Sequence, residues 1–134
     1  MKRILYLLLA FAVLFLCACG GDISGVEKES TPSQQYDQRD IDLAMREVTA
    51  YFKQNFEGCE LLTLTYDEKF SQSRASGWAE HYKAEQVIVL ISSFYVRPGG
   101  GDGSLEQDET YENWQWILTR SGPDKWKLQN WGYG

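Results

Sequence analysis

The chain has 134 residues, 43% of them hydrophobic and 24% charged, with a formal net charge of −6. That length suits one small domain, and the acidic balance excludes nucleic acid and anionic head groups as favoured partners, since binding them needs a basic patch that releases counterions. A single histidine excludes a multi-histidine transition-metal centre within one copy.

The chain opens with Met1, Lys2 and Arg3, followed by an uncharged apolar run over residues 4–18. A basic start before a short apolar run that ends in small residues predicts a signal peptide rather than a transmembrane span. The end of that run, Leu16-Cys17-Ala18-Cys19, resembles a bacterial lipobox, with leucine three positions and a small residue one position before the acceptor cysteine. Cys19 fits the pattern; Cys17 does not, because bulky Leu16 precedes it. The alternatives are a Cys-x-Cys metal site or an ordinary secretory cleavage. The resemblance implies that residues 1–18 are removed and that Cys19 is acylated with diacylglycerol and palmitate-type chains. The product would be held on the extracytoplasmic face of the cell membrane, with the membrane itself as a partner. Without Lys2 and Arg3, 11 basic residues stand against 19 acidic ones, a net charge near −8. Cys59 is then the one remaining thiol, so no intramolecular disulfide forms and stability must come from an ordinary core.

Residues 20–35, GGDISGVEKESTPSQQ, are poor in apolar side chains and read as a flexible linker reaching roughly 20–25 Å. The folded domain is expected over residues 36–134. Asp37 is a helix-capping residue, Asp40 adds a carboxylate to the first turn, and Tyr36 with Ile41 has the spacing of a hydrophobic staple. Ile41, Ala44, Val48, Tyr51, Phe52 and Phe56 recur at helical spacing, with Gly58 as a left-handed C-cap. Residues 59–68 predict a strand with Leu62, Leu64 and Tyr66 on one face. Residues 70–83 predict a short helix or irregular turn, and residues 85–97, apolar on both faces, a central strand. Residues 110–120 and 125–134 predict two more strands joined by a turn at Ser121-Gly122-Pro123-Asp124.

This order predicts an α+β fold in which a long N-terminal helix packs on a curved antiparallel sheet of about four strands. It resembles the nuclear transport factor 2-like or cystatin-like cone. Through YFKQNFEGC, NWQWILTR and the terminal W-x-L-x-x-W-G-Y, the chain also resembles small lipoproteins of Gram-positive bacteria. The cone resemblance implies a pocket between helix and sheet, although fold alone confers no function.

Four carboxylates, Asp102, Glu106, Asp108 and Glu109, cluster in the glycine-rich PGGGDGSLEQDET segment. Asp102, Glu106 and Asp108 are weak calcium candidates, since calcium takes oxygen ligands, but the EF-hand spacing fails at Gln107 and Asn113. A solvated hairpin loop is the simpler expectation. No cofactor is expected. His81 could act as an acid or base beside Asp67, Glu68 or Tyr66. Cys59 as a nucleophile with His81 lacks any flanking signature, and a buried strand-start cysteine is expected instead. Trp114 and Trp116 alternate and so share a face with Leu118: core if that face is covered, a strip for sugar rings or apolar peptides if it is bare.

The expected function is a non-enzymatic binding module for a ligand or protein, with Trp114, Trp116, His81 and Tyr66 as candidate binding residues and a protein, peptide or glycan as partner. The alternative is a small-pocket isomerase- or hydrolase-like enzyme using His81 with Asp67 or Glu68.

Overall fold

A computed structural model describes residues 20–123 and 125–133. The predicted signal peptide and the acceptor Cys19 lie outside the described residues, as does Asp124 of the predicted hairpin turn. The elements are β1 (Glu27–Ser30), α1 (Gln38–Asn55), β2 (Cys59–Tyr66), α2 (Glu68–Tyr82), β3 (Gln86–Val96), β4 (Glu109–Arg120) and β5 (Lys127–Gly132).

The strands form one open sheet in the order β1-β2-β3-β4-β5, with β1 parallel to β2 and the other neighbours antiparallel. This corrects the expected four-stranded antiparallel cone: the sheet is mixed, five-stranded and not closed, and it carries two helices. Two physical causes separate expectation from structure. First, the segment read as a flexible linker supplies an edge strand. β1 is exposed along its whole length, so no hydrophobic pattern marks it. It is held by backbone pairing to residues 63–66 of β2. Because β1 and β2 run parallel, the chain must cross over between them, and α1 is that crossover.

Second, residues 68–82 form a full helix rather than a turn. Asp67 caps it by accepting from the Phe70 N–H at 2.9 Å, and Lys83 ends it in the left-handed conformation, φ 53°. Its stripe of Phe70, Ala75, Trp78, Ala79 and Tyr82 is thin and interrupted by serines. It covers a small second core of Val87, Val89 and Ile117. The larger core lies on the opposite face, where α1 lays Ile41, Ala44, Met45, Val48 and Phe52 against Leu64, Tyr66, Ile88, Leu90, Phe94, Trp116 and Leu118. α1 starts at the expected cap, with the Asp40 N–H donating to Asp37 Oδ1 at 2.8 Å. It ends at Asn55, and Gly58 lies beyond it in the turn to β2.

Bulges decide which residues face α1. Pairing slips between Leu61 and Thr63 in β2, so Leu61, rather than the expected Leu62, joins Leu64 and Tyr66 in the core. It slips again opposite Ser92 and Phe94, where Asn113 takes φ 58°. That slip turns Tyr111 to the same face as Trp114. Thr63 Oγ1 accepts from the Ser93 N–H at 3.1 Å between the two irregularities, a backbone donor met by a side chain. Such bulges bend and twist the sheet, here around α1.

Candidate functional site

A cavity of about 260 Å³ opens where the end of α1, the loop after β3 and the α1 face of the sheet meet. Its walls carry Tyr51 from α1, Phe56 just after the helix end, Trp114 from β4 and Trp131 from β5, with Glu57 and Asp102 among the polar lining. Tyr51 and Trp131 meet with ring centroids 4.6 Å apart at 44°, and Trp131 is 39% exposed. The apolar stripe of α1 accounts for Tyr51, one turn before the helix end, and the position of Trp131 on edge strand β5 leaves it partly exposed.

The loop wall depends on a close backbone approach. Gly58, at φ 71°, lies so near Gly100 that a Cβ on Gly100 would stand 2.4 Å from the Gly58 carbonyl oxygen. Gly101 N–H donates to Glu57 O at 2.8 Å and Arg97 N–H to Gly58 O at 3.0 Å, fixing the loop against the α1–β2 turn. A side chain at position 100 would push this wall outward.

The two candidate tryptophans share a face as expected but have different roles. Trp116 is fully buried, and its Nε1–H donates to Ser92 Oγ at 2.7 Å. It is core. Trp114 is half-buried and lines the cleft, edge-on to Phe94 and Tyr111 at 86°. Its Nε1 is buried without a hydrogen-bond partner, and the aromatic rings around it offer only weak N–H···π contacts. Tyr66 is fully buried against Tyr36, its ring edge-on at 74°. Burial raises its phenol above the ordinary value.

His81 lies in the last turn of α2 and is exposed, its ring edge-on to Trp78 and Tyr82. Asp67 and Glu68 stand at the other end of the same helix, about 20 Å away at 1.5 Å per residue. The fold therefore does not bring His81 together with Asp67 or Glu68. Asp67 is occupied as the α2 cap. Glu68 accepts from the Ser33 hydroxyl and from the N–H groups of Gln34 and Gln35, bonds that hold its carboxylate below the usual range. Cys59 belongs to the α1-side core, across the sheet from α2, and burial pushes its thiol up. That state opposes a thiolate nucleophile.

The weak calcium candidates also diverge. Asp102 Oδ1 accepts from Ser104 N–H and Oγ–H, and Asp108 Oδ1 accepts from the Tyr95 hydroxyl. The Glu106 N–H donates to the Tyr111 hydroxyl at 2.9 Å. Among the described residues no group of three or more His, Cys, Asp or Glu is placed to hold a metal ion. Asp102 instead belongs to the cleft.

No family model, curated protein or solved structure matches the chain. The cleft is thus read from its own residues. Of its lining, the sequence singled out Trp114 as a candidate binding residue, Asp102 as a weak calcium candidate and Cys59 as a buried cysteine; it placed Tyr51 on the buried stripe of the helix and gave Trp131 no role. The signals it lacked were the bulge at Asn113, which no alternation pattern shows, and the Gly58–Gly100 contact, which joins residues far apart in sequence. No described helix is long and apolar enough to cross a membrane.

Proposed function

We propose that this chain is a membrane-anchored extracytoplasmic lipoprotein, acylated at Cys19, whose domain binds a small ligand in the aromatic cleft. The observation that carries the binding reading is the joint presence of Tyr51, Trp114 and Trp131 around one partly open cavity whose lining also holds Asn55, Glu57, Asp102 and Ser104. Such a lining suits a ligand with one flat apolar face and a few polar contacts. The lipobox resemblance supports the anchor. Gly20 accepts from the Gly58 N–H at 3.3 Å, and the Gly21 N–H donates to Lys53 O at 2.9 Å. The first described residues, Gly20 and Gly21, are thus held against the end of α1 and the turn into β2, at the cleft end of the domain.

Both halves are testable on the full chain. Metabolic labelling with a palmitate analogue should tag the chain and fail to tag Cys19→Ser; an untagged natural chain would remove the anchor. A thermal-shift panel of small glycans, peptides and amines should yield a ligand that raises Tm by several degrees at about 100 times its Kd. That shift should shrink by about a third or more in Trp131→Ala. A panel in which no compound raises Tm, or a shift untouched by the substitution, would overturn the cleft reading.

A further inference from the structure

We infer that the ligand of this cleft is a small organic cation carrying an alkylammonium head, an inference that rests on the cleft being the binding site. The argument is electrostatic. Glu57 and Asp102 both line the cavity, and among the described residues none of its lining side chains is Lys or Arg. The C-terminal end of α1 reaches the same place through Asn55 and Phe56, bringing the negative end of the helix dipole to the cavity. The aromatic wall adds to this: Trp131, which lines the cavity and is 39% exposed, carries the indole ring that attracts cations best. Two carboxylates, the C-terminal end of a helix and the exposed indole of Trp131 thus bring negative potential to one cavity. The Ser104 hydroxyl and N–H stabilise ionised Asp102 and hold its carboxyl below the usual range. An anionic ligand would meet two carboxylates with no lysine or arginine among the described lining residues to offset them. A neutral sugar would gain stacking but leave the carboxylates without a countercharge.

A volume of about 260 Å³ suits a head group and a short chain rather than a polymer. Charge and size together favour a methylated ammonium, whose weakly hydrated surface can lie on the rings while its charge faces Asp102 and Glu57.

The test uses the full chain in a polyoxyethylene detergent, with tryptophan emission titrated with choline chloride, sodium chloride at matched strength, N-acetylglucosamine and sodium acetate. The expected result is a saturable change with choline alone. Trp131→Ala should weaken choline binding roughly 5- to 30-fold. Asp102→Asn keeps an oxygen acceptor for Ser104 and should weaken it roughly two- to fivefold. Circular dichroism and a melt of each variant establish that it is folded, and Asp102, being exposed, gives a variant that does not disturb the core. Saturable binding of N-acetylglucosamine or acetate, lost in Trp131→Ala, would overturn the cationic class and leave the cleft standing. Choline binding unchanged in both variants would place it elsewhere and overturn the inference. No saturable response to any probe would overturn both the cation and the cleft.

Discussion

At the scale of single residues, Asp22 shows how much of this fold is fixed outside the hydrophobic pattern. Its Oδ1 accepts from the Ser24 N–H at 2.9 Å and the Ser24 hydroxyl at 2.6 Å, and its Oδ2 meets Arg97 Nη2 at 2.8 Å. The Ser24 bonds first, then Arg97, lower its pKa from 3.8 to about 2. A lowered carboxylate pKa means that the folded state prefers the ionised form. The contribution is complete above the unfolded value of 3.8 and is lost as pH falls through about 2. Hydrogen exchange should therefore show amides near β1 losing protection between those pH values while α1 keeps its own. Asp22→Asn should remove that pH step, and a step that persists in the variant would assign it to another group. The sequence offered no hint of this role, because an aspartate in a polar segment looks the same whether solvated or paired with an arginine 75 positions away.

The strands show a second kind of dependence. β2 pairs with β3 only as far as Ile91, while β3 continues back to Gln86, leaving the groups of residues 86–90 without a strand partner on that side. Two side chains from other elements fill the gap. Ser71 Oγ in α2 accepts from the Val89 N–H at 3.0 Å, and the Tyr36 hydroxyl before α1 donates to Val87 O at 3.1 Å. Ser71→Ala should therefore cost about 1–3 kcal/mol, because it leaves a buried backbone donor unpaired. Urea denaturation measures it; a loss below a few tenths of a kcal/mol would mean that the edge rearranges. The element types were mostly legible in the sequence: α1 from its 3.6-residue stripe and Asp37 cap, β3 from its continuous apolar run. α2 was under-read because its apolar stripe is thin. Leu62 was assigned to the wrong face because a bulge breaks the two-residue period without leaving a mark in composition.

Over the whole molecule, the five strands separate a large core under α1 from a small one under α2, and residues 20–35 tie the first helix to the sheet. A chain starting at Tyr36 loses β1, the Asp22–Arg97 pair and the Ser33–Glu68 contact together. Its removal should lower stability by about 2–4 kcal/mol, a sum of several modest hydrogen bonds. An unfolding midpoint equal to that of the longer chain would show that these residues only decorate the domain. Composition and periodicity by themselves determined the acidic character, the length of one domain, the α1 stripe and the strands of the antiparallel part, since each depends on local spacing. The sequence also carries the lipobox-like Cys19. Only the tertiary structure decided that a polar stretch is a fifth strand, that a second helix covers the other face, and that Trp116 is core while Trp114 and Trp131 line a cleft with Tyr51. The reason is that backbone pairing, bulges and the Gly58–Gly100 approach join residues far apart in the chain. A pattern of neighbours carries no record of such contacts.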